Sequence, residues 1–263
     1  MTTVKKAICI LLIIFVFHSC VKKKIVEVCS GFQDKIYEYS IYHCTEADSL
    51  DCSQKVEKSL QLPDQYLRCS STDSLSQTCL NYPFFGYIWA YSSIQEGFER
   101  VKDMFNGIDE LFSREGANSS LIRIYQRMHP EDVNDIPDPV DRGAFMARFT
   151  FIEITLAQYQ LIQKLNNDQR ITLISICFDK YNSKTSIPSY SWIGSMSTLA
   201  IIARILYTED YKPFVNLMSA NQDLEYFVQN ADFDNMSPDI INDITQIVLS
   251  TANNYISGLK QSA

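Results

Sequence analysis

The chain has 263 residues, of which 46% are hydrophobic and 21% charged, an ordinary globular usage that excludes wholesale disorder. Glycine and proline number 8 each, a scarcity that argues against collagen-like, linker-rich or turn-dense β chains and favours helices. A net charge of −8 gives no general electrostatic hold on polyanions, so nucleic acid is not expected as a partner.

At the N-terminus Lys5 and Lys6 precede an eleven-residue apolar run, Ala7 to Phe17, and Lys22 to Lys24 close the stretch. Such a run is too short for a hydrocarbon core of ~30 Å and has the proportions of a signal-peptide h-region. Residues 1–19 therefore read as a signal peptide, and the chain as exported. The four residues Phe17-His18-Ser19-Cys20 resemble a bacterial lipoprotein lipobox. Ser19 takes the small position, while His18 and Phe17 differ from the usual Ala/Ser/Thr and Leu. The resemblance implies cleavage before Cys20, lipid attachment at Cys20 and anchoring in a cell-envelope membrane. It implies nothing about the activity of the body. Ordinary signal cleavage near Ser19 would instead release a secreted protein.

Once Cys9 has left with the signal and Cys20 carries lipid, Cys29, Cys44, Cys52, Cys69, Cys79 and Cys177 remain. An even set suits three disulfides in an oxidising compartment. Intervals of 15, 8, 17 and 10 separate the first five, with no C-x₂₋₄-C pair, so a disulfide framework is favoured over a metal site. Five cysteines cannot pair among themselves, and Cys177 is expected to tie the segment 20–80 to the body. That segment offers two short helices, around Ile36 to His43 and from Leu50 to Leu62, with too little apolar content to stand unstapled.

From residue 81 to 263 the pattern is that of a helical domain. Six aromatics between Tyr82 and Tyr91 read as core, or as a carbohydrate or peptide platform. Ile94, Phe98, Val101, Phe105, Ile108 and Phe112 then step by 4, 3, 4, 3 and 4 along one helix face. Further helices are expected with a cap at Ser119 or Ser120, from Arg142 to Leu165, and after Asp168 with the stripe Ile171, Ile174, Phe178 and Tyr181. Two more run from Ser191 to Tyr207 and from the Ser237-Pro238 start onward. The fold class is all-α: a bundle of about six to eight helices preceded by a short cysteine-rich helical segment.

Chemistry is sparsely marked. No G-x-S-x-G, H-E-x-x-H, P-loop or dinucleotide fingerprint occurs. His129 and Glu153 are the acid–base candidates, and together they would make a secreted or periplasmic hydrolase. Glu131, Asp132, Asp135, Asp138 and Asp141 form an acidic loop whose spacing departs from the EF-hand, so neither metal nor cofactor is expected. Prolines 130, 137 and 139 give that loop an extended, exposed course on which an envelope protein partner could dock. Asn118-Ser119-Ser120 is a glycosylation sequon and would matter in a disulfide-stapled secreted binding protein. The leading expectation is a lipid-anchored extracytoplasmic protein with a binding or structural helical domain.

Overall fold

A computed structural model describes residues 29, 31–45 and 51–262, apart from the side chains of 191–193 and 260–262. The signal segment and Cys20 lie outside the described residues. Among the described residues there is no strand, and the chain is all-α. Helices outnumber the six to eight expected, because stripes that are continuous in sequence are interrupted in space.

The first described segment is not the helix expected over Ile36 to His43; residues 35–45 carry no regular structure. Tyr37 and Tyr39 stand two apart and can face one side only in an open chain. Tyr37 packs at a tilt against Tyr66, and Tyr39 packs edge-on to Tyr82 and Phe105. Thr78 pins the segment, its hydroxyl accepting from the Tyr37 N–H and its carbonyl from the Tyr39 hydroxyl, both at 3.0 Å. Disulfides Cys29–Cys69 and Cys44–Cys52 close it at Cα separations of 4.9 and 5.7 Å. These bonds mark an oxidising, extracytoplasmic compartment. The expected third bridge is not formed. Cys79 and Cys177 are buried thiols, the first beside Tyr39 and the second beside Tyr125 and Glu153, each enclosed in a different neighbourhood.

Three short helices follow: α1 (Cys52–Ser59), α2 (Asp64–Cys69) and α3 (Thr72–Leu80). The aromatic run is a 3-10 helix, Phe85–Ala90, with Phe85 and Ile88 buried and Tyr87, Trp89 and Tyr91 exposed. All six residues of the Ile94 to Phe112 stripe are buried, yet the stripe is split between two helices, α4 (Ile94–Met104) and α5 (Asn106–Ser113), with Phe105 in neither. The break is made by a clamp from a distant turn. Asn106 exchanges two 2.9 Å hydrogen bonds with the backbone of Leu62, and the Gln61 side chain donates to the Met104 carbonyl at 2.8 Å. Phe105 takes an extended conformation between them and still reaches the core.

The remaining elements are α6 (Ala117–Arg127), a 3-10 turn (Pro130–Asp135), α7 (Pro139–Leu156), α8 (Tyr159–Ile162), α9 (Asn167–Thr185), a second 3-10 turn (Pro188–Tyr190), α10 (Ser191–Thr208), α11 (Lys212–Ser219), α12 (Gln222–Asn230) and α13 (Pro238–Ser262). Helix α6 starts earlier than a Ser119 or Ser120 cap allows, and Ser120 is buried within it. Asn166, with Gln169 in a reciprocal capping box, starts α9 in place of Asp168. The hub is α10, buried from Ser195 to Leu206 without interruption and packed by α7, α9, α12 and α13. A helix enclosed on all sides shows no amphipathic face, as its apolar sequence requires.

Helix α9 turns a different face inward from the one its stripe predicts. Leu173, Ile174, Cys177, Lys180 and Lys184 are buried, whereas Ile171, Phe178 and Tyr181 are only half-buried along the side facing α13. Two lysines thus occupy the core face. What they meet there defines the interior chemistry.

Candidate functional site

Glu153 on α7 is fully buried and forms an ion pair with Lys184 on α9, each carboxylate oxygen lying 2.7 Å from the ammonium. Oε1 also accepts from the Tyr125 hydroxyl at 2.6 Å and Thr198 at 2.8 Å, and Oε2 accepts from Ser197 at 2.5 Å. Lys184 donates further to the Gly194 carbonyl at 2.8 Å, and the rings of Phe149 and Tyr190 lie 5.2 and 5.5 Å from its nitrogen. Four helices, α6, α7, α9 and α10, therefore meet on one satisfied ionic centre. Burial alone pushes Lys184 below its ordinary value, and the Glu153 charge opposes that shift. Burial, with the same carboxylate, holds the Tyr125 phenol well above its ordinary value.

A second buried charge works without a carboxylate bonded to it. Arg204 on α10 donates to the carbonyls of Val228 and Gln229 at 2.8 Å, to Ala157 at 3.1 Å and to the Gln95 side chain at 2.7 Å. These carbonyls sit at the ends of α12 and α7, where unpaired acceptors and the negative end of the helix dipole favour a cation. The Tyr159 ring covers the guanidinium at 4.9 Å.

Beside the ionic centre lies a cavity of about 500 Å³ between α9, α10 and α13. Its walls are largely apolar, with Ile187, Leu199, Phe233, Met236 and Ile241, and they include Tyr181, Thr245 and Ser195. Lys184 is the one charged residue among them, and its ammonium is already held by Glu153 and Gly194. The Ser195 hydroxyl is buried with no hydrogen-bond partner among the described residues. The volume falls within the ~300–1,000 Å³ usual for small-molecule sites.

The sequence candidates are scattered rather than assembled. His129 is exposed and lines a separate hollow of about 240 Å³ with Glu131, Lys180 and Ser183. Glu153 is enclosed in the ionic centre and lines none of these hollows, so the two do not form an acid–base pair. The acidic loop is not uniformly extended: it begins as the Pro130–Asp135 turn, with Val133 buried. Asp138 is the N-cap of α7, accepting from the N–H groups of Val140 at 2.8 Å and Asp141 at 3.1 Å, with Pro139 in the first turn. Glu131 accepts from Ser183, and that bond holds its carboxyl below the usual range. Asp132, Asp135 and Asp141 remain exposed. Asn118 is buried and donates to the Leu161 carbonyl at 2.9 Å, which removes the sequon from solvent in the folded chain. Among the described residues no group of three His, Cys, Asp or Glu side chains could hold a metal ion, and no helix is long and apolar enough to cross a membrane.

The residue that sequence reasoning missed is Lys184. Leu173, Cys177, Lys180 and Lys184 step by 4, 3 and 4, so the helical spacing already put both lysines on a line with apolar positions. Comparison with known proteins finds no matching family model, curated protein or solved structure.

Proposed function

We propose that this chain is an extracytoplasmic binding protein, tethered to the cell-envelope membrane through lipid on Cys20, that holds a small molecule in the cavity between α9, α10 and α13. The observation that carries the reading is the cavity itself: largely apolar and bordered by a buried hydroxyl without a partner. The ionic centre supports it indirectly. With Glu153 and Lys184 fully engaged on each other and on their neighbours, they serve as a rigid frame behind the cavity wall rather than as reacting groups. The two disulfides agree with export.

The test takes the full chain with Cys20→Ser. It should leave the membrane fraction for the soluble fraction and then bind the fluorescent dyes N-phenylnaphthylamine or anilinonaphthalene sulfonate. Ile241→Trp, which fills the cavity, should abolish that binding. Retention of the Cys20→Ser variant in membranes would sink the anchor. Binding of neither dye, or binding unaffected by Ile241→Trp, would sink the site.

A further inference from the structure

From the seam between α9 and α13 we infer that the ligand is an uncharged single-chain amphiphile, its tail in the apolar cavity and its neutral head further along the same groove; this rests on the cavity being the binding site. A second hollow, of about 580 Å³, lies next along the same two helices, past the point where Tyr181 and Thr245 meet across the seam. On α9 the walls pass from Tyr181 in the first hollow to Asn182 and Phe178 in the second, and on α13 from Thr245 to Leu249 one turn on. From Ile171 to Thr185 the lining of the two hollows spans about 21 Å of α9 at 1.5 Å per residue.

Three features select the occupant. The apolar stripe of α9 is only partly enclosed: Ile174 is buried in the core, while Ile171, Phe178 and Tyr181 stay half-buried along this groove, facing half-buried Ile241, Leu249 and Ile256 of α13. An apolar chain laid between them would complete their burial, a gain in proportion to the apolar area removed from water. The polar side chains are uncharged apart from Lys184 and line both hollows: Thr185, Ser195, Asn242 and Thr245 stand among the apolar walls of the first. Ser175, Asn182, Asn253 and Ser257 gather in the second hollow, as hydroxyls and amides suited to a hydroxylated head. Finally, no free charge lines either hollow, although the chain is 21% charged; Lys184 alone belongs there, and Glu153 neutralises it. An anionic or cationic head would enter without a counter-charge.

The test measures displacement of N-phenylnaphthylamine from the full-length Cys20→Ser protein by three amphiphiles with the same fourteen-carbon chain: a monoacylglycerol, the free carboxylate and the trimethylammonium. The monoacylglycerol should act at tenfold or more lower concentration than either charged compound. Asn253→Lys changes an exposed position of the second hollow and should improve displacement by the carboxylate about tenfold relative to the monoacylglycerol, with the far-UV circular dichroism of the parent protein as the check on folding. Equal displacement by all three, or no response of the carboxylate to Asn253→Lys, would overturn the neutral-head assignment while dye binding kept the site itself. Loss of dye binding as the protein dimerises would assign the seam to a second copy and overturn the proposal.

Discussion

Replacing Lys184 with methionine keeps the length of the side chain and removes its charge, leaving the Glu153 carboxylate enclosed with three hydroxyl donors, Tyr125, Ser197 and Thr198. Breaking a buried pair from one side costs about 3–5 kcal/mol. The three remaining donors place this case near the lower end, about 3 kcal/mol. For a chain of this size that corresponds to a fall in Tm of roughly 6–12 °C. Adding Glu153→Gln to Lys184→Met removes the orphaned charge while the amide still accepts from Tyr125 or Thr198, so the double variant should recover about 2 kcal/mol. Urea unfolding followed by far-UV circular dichroism, with the disulfides intact, measures both. A single variant within about 1 kcal/mol of the parent, or a double variant no more stable than the single, would refute the ionic centre as the frame of the four helices.

Three other perturbations follow from specific contacts. Gly97→Ala would put a Cβ 2.1 Å from the Ile88 carbonyl oxygen and 2.6 Å from its carbon, forcing α4 away from the 3-10 turn. A loss of about 1–3 kcal/mol in urea unfolding is expected, and an unchanged midpoint would refute the close approach. Alkali should unfold the protein. Burial raises Tyr82 and Tyr255 to about 12, and Tyr125 and Tyr190 are also pushed up. Phenols that hold their protons more tightly when folded contribute fully below pH ~10, and the contribution is lost as pH rises toward ~12. The lowered Lys180, Lys184 and Arg204 have the opposite sign but are outnumbered by the raised phenols. Tyrosinate absorbance should therefore rise together with loss of helix; a gradual rise with helix retained would contradict this. The Cys79 and Cys177 thiols, both raised by burial, should react with a disulfide reagent only on unfolding, and rapid native labelling would place them at the surface.

Local pattern carries the helices and fails where distant contacts decide. Each residue of the Ile94 to Phe112 stripe is buried as its spacing demands, because a period near 3.6 survives a single extended residue. The break at Phe105 was not legible, since the clamp comes from Gln61 and Leu62, more than forty residues away. Asp138 before Pro139 is a local start signal, yet composition alone groups its carboxylate with an acidic docking surface. Glu153 is a charge between Ile152 and Ile154 in an apolar run, but nothing in the sequence names its partner. The pairing depends on α9 rotating its lysines inward, and that rotation leaves Ile171, Phe178 and Tyr181 along the groove. The cavity likewise forms where the consecutive helices α9 and α10 meet α13 from further along the chain, with no motif to announce it.

The most direct measurement is the mass of the wild-type protein, extracted from membranes under native conditions and weighed before and after denaturation. The proposed function requires a chain beginning at Cys20 with covalent acyl mass, carrying a separable neutral single-chain molecule that is lost on denaturation. Ile241→Trp should retain the acyl mass and lack the separable one. A wild-type protein without acyl mass, or one whose mass does not fall on denaturation, would contradict a tethered protein that carries its ligand in the α9–α13 cavity.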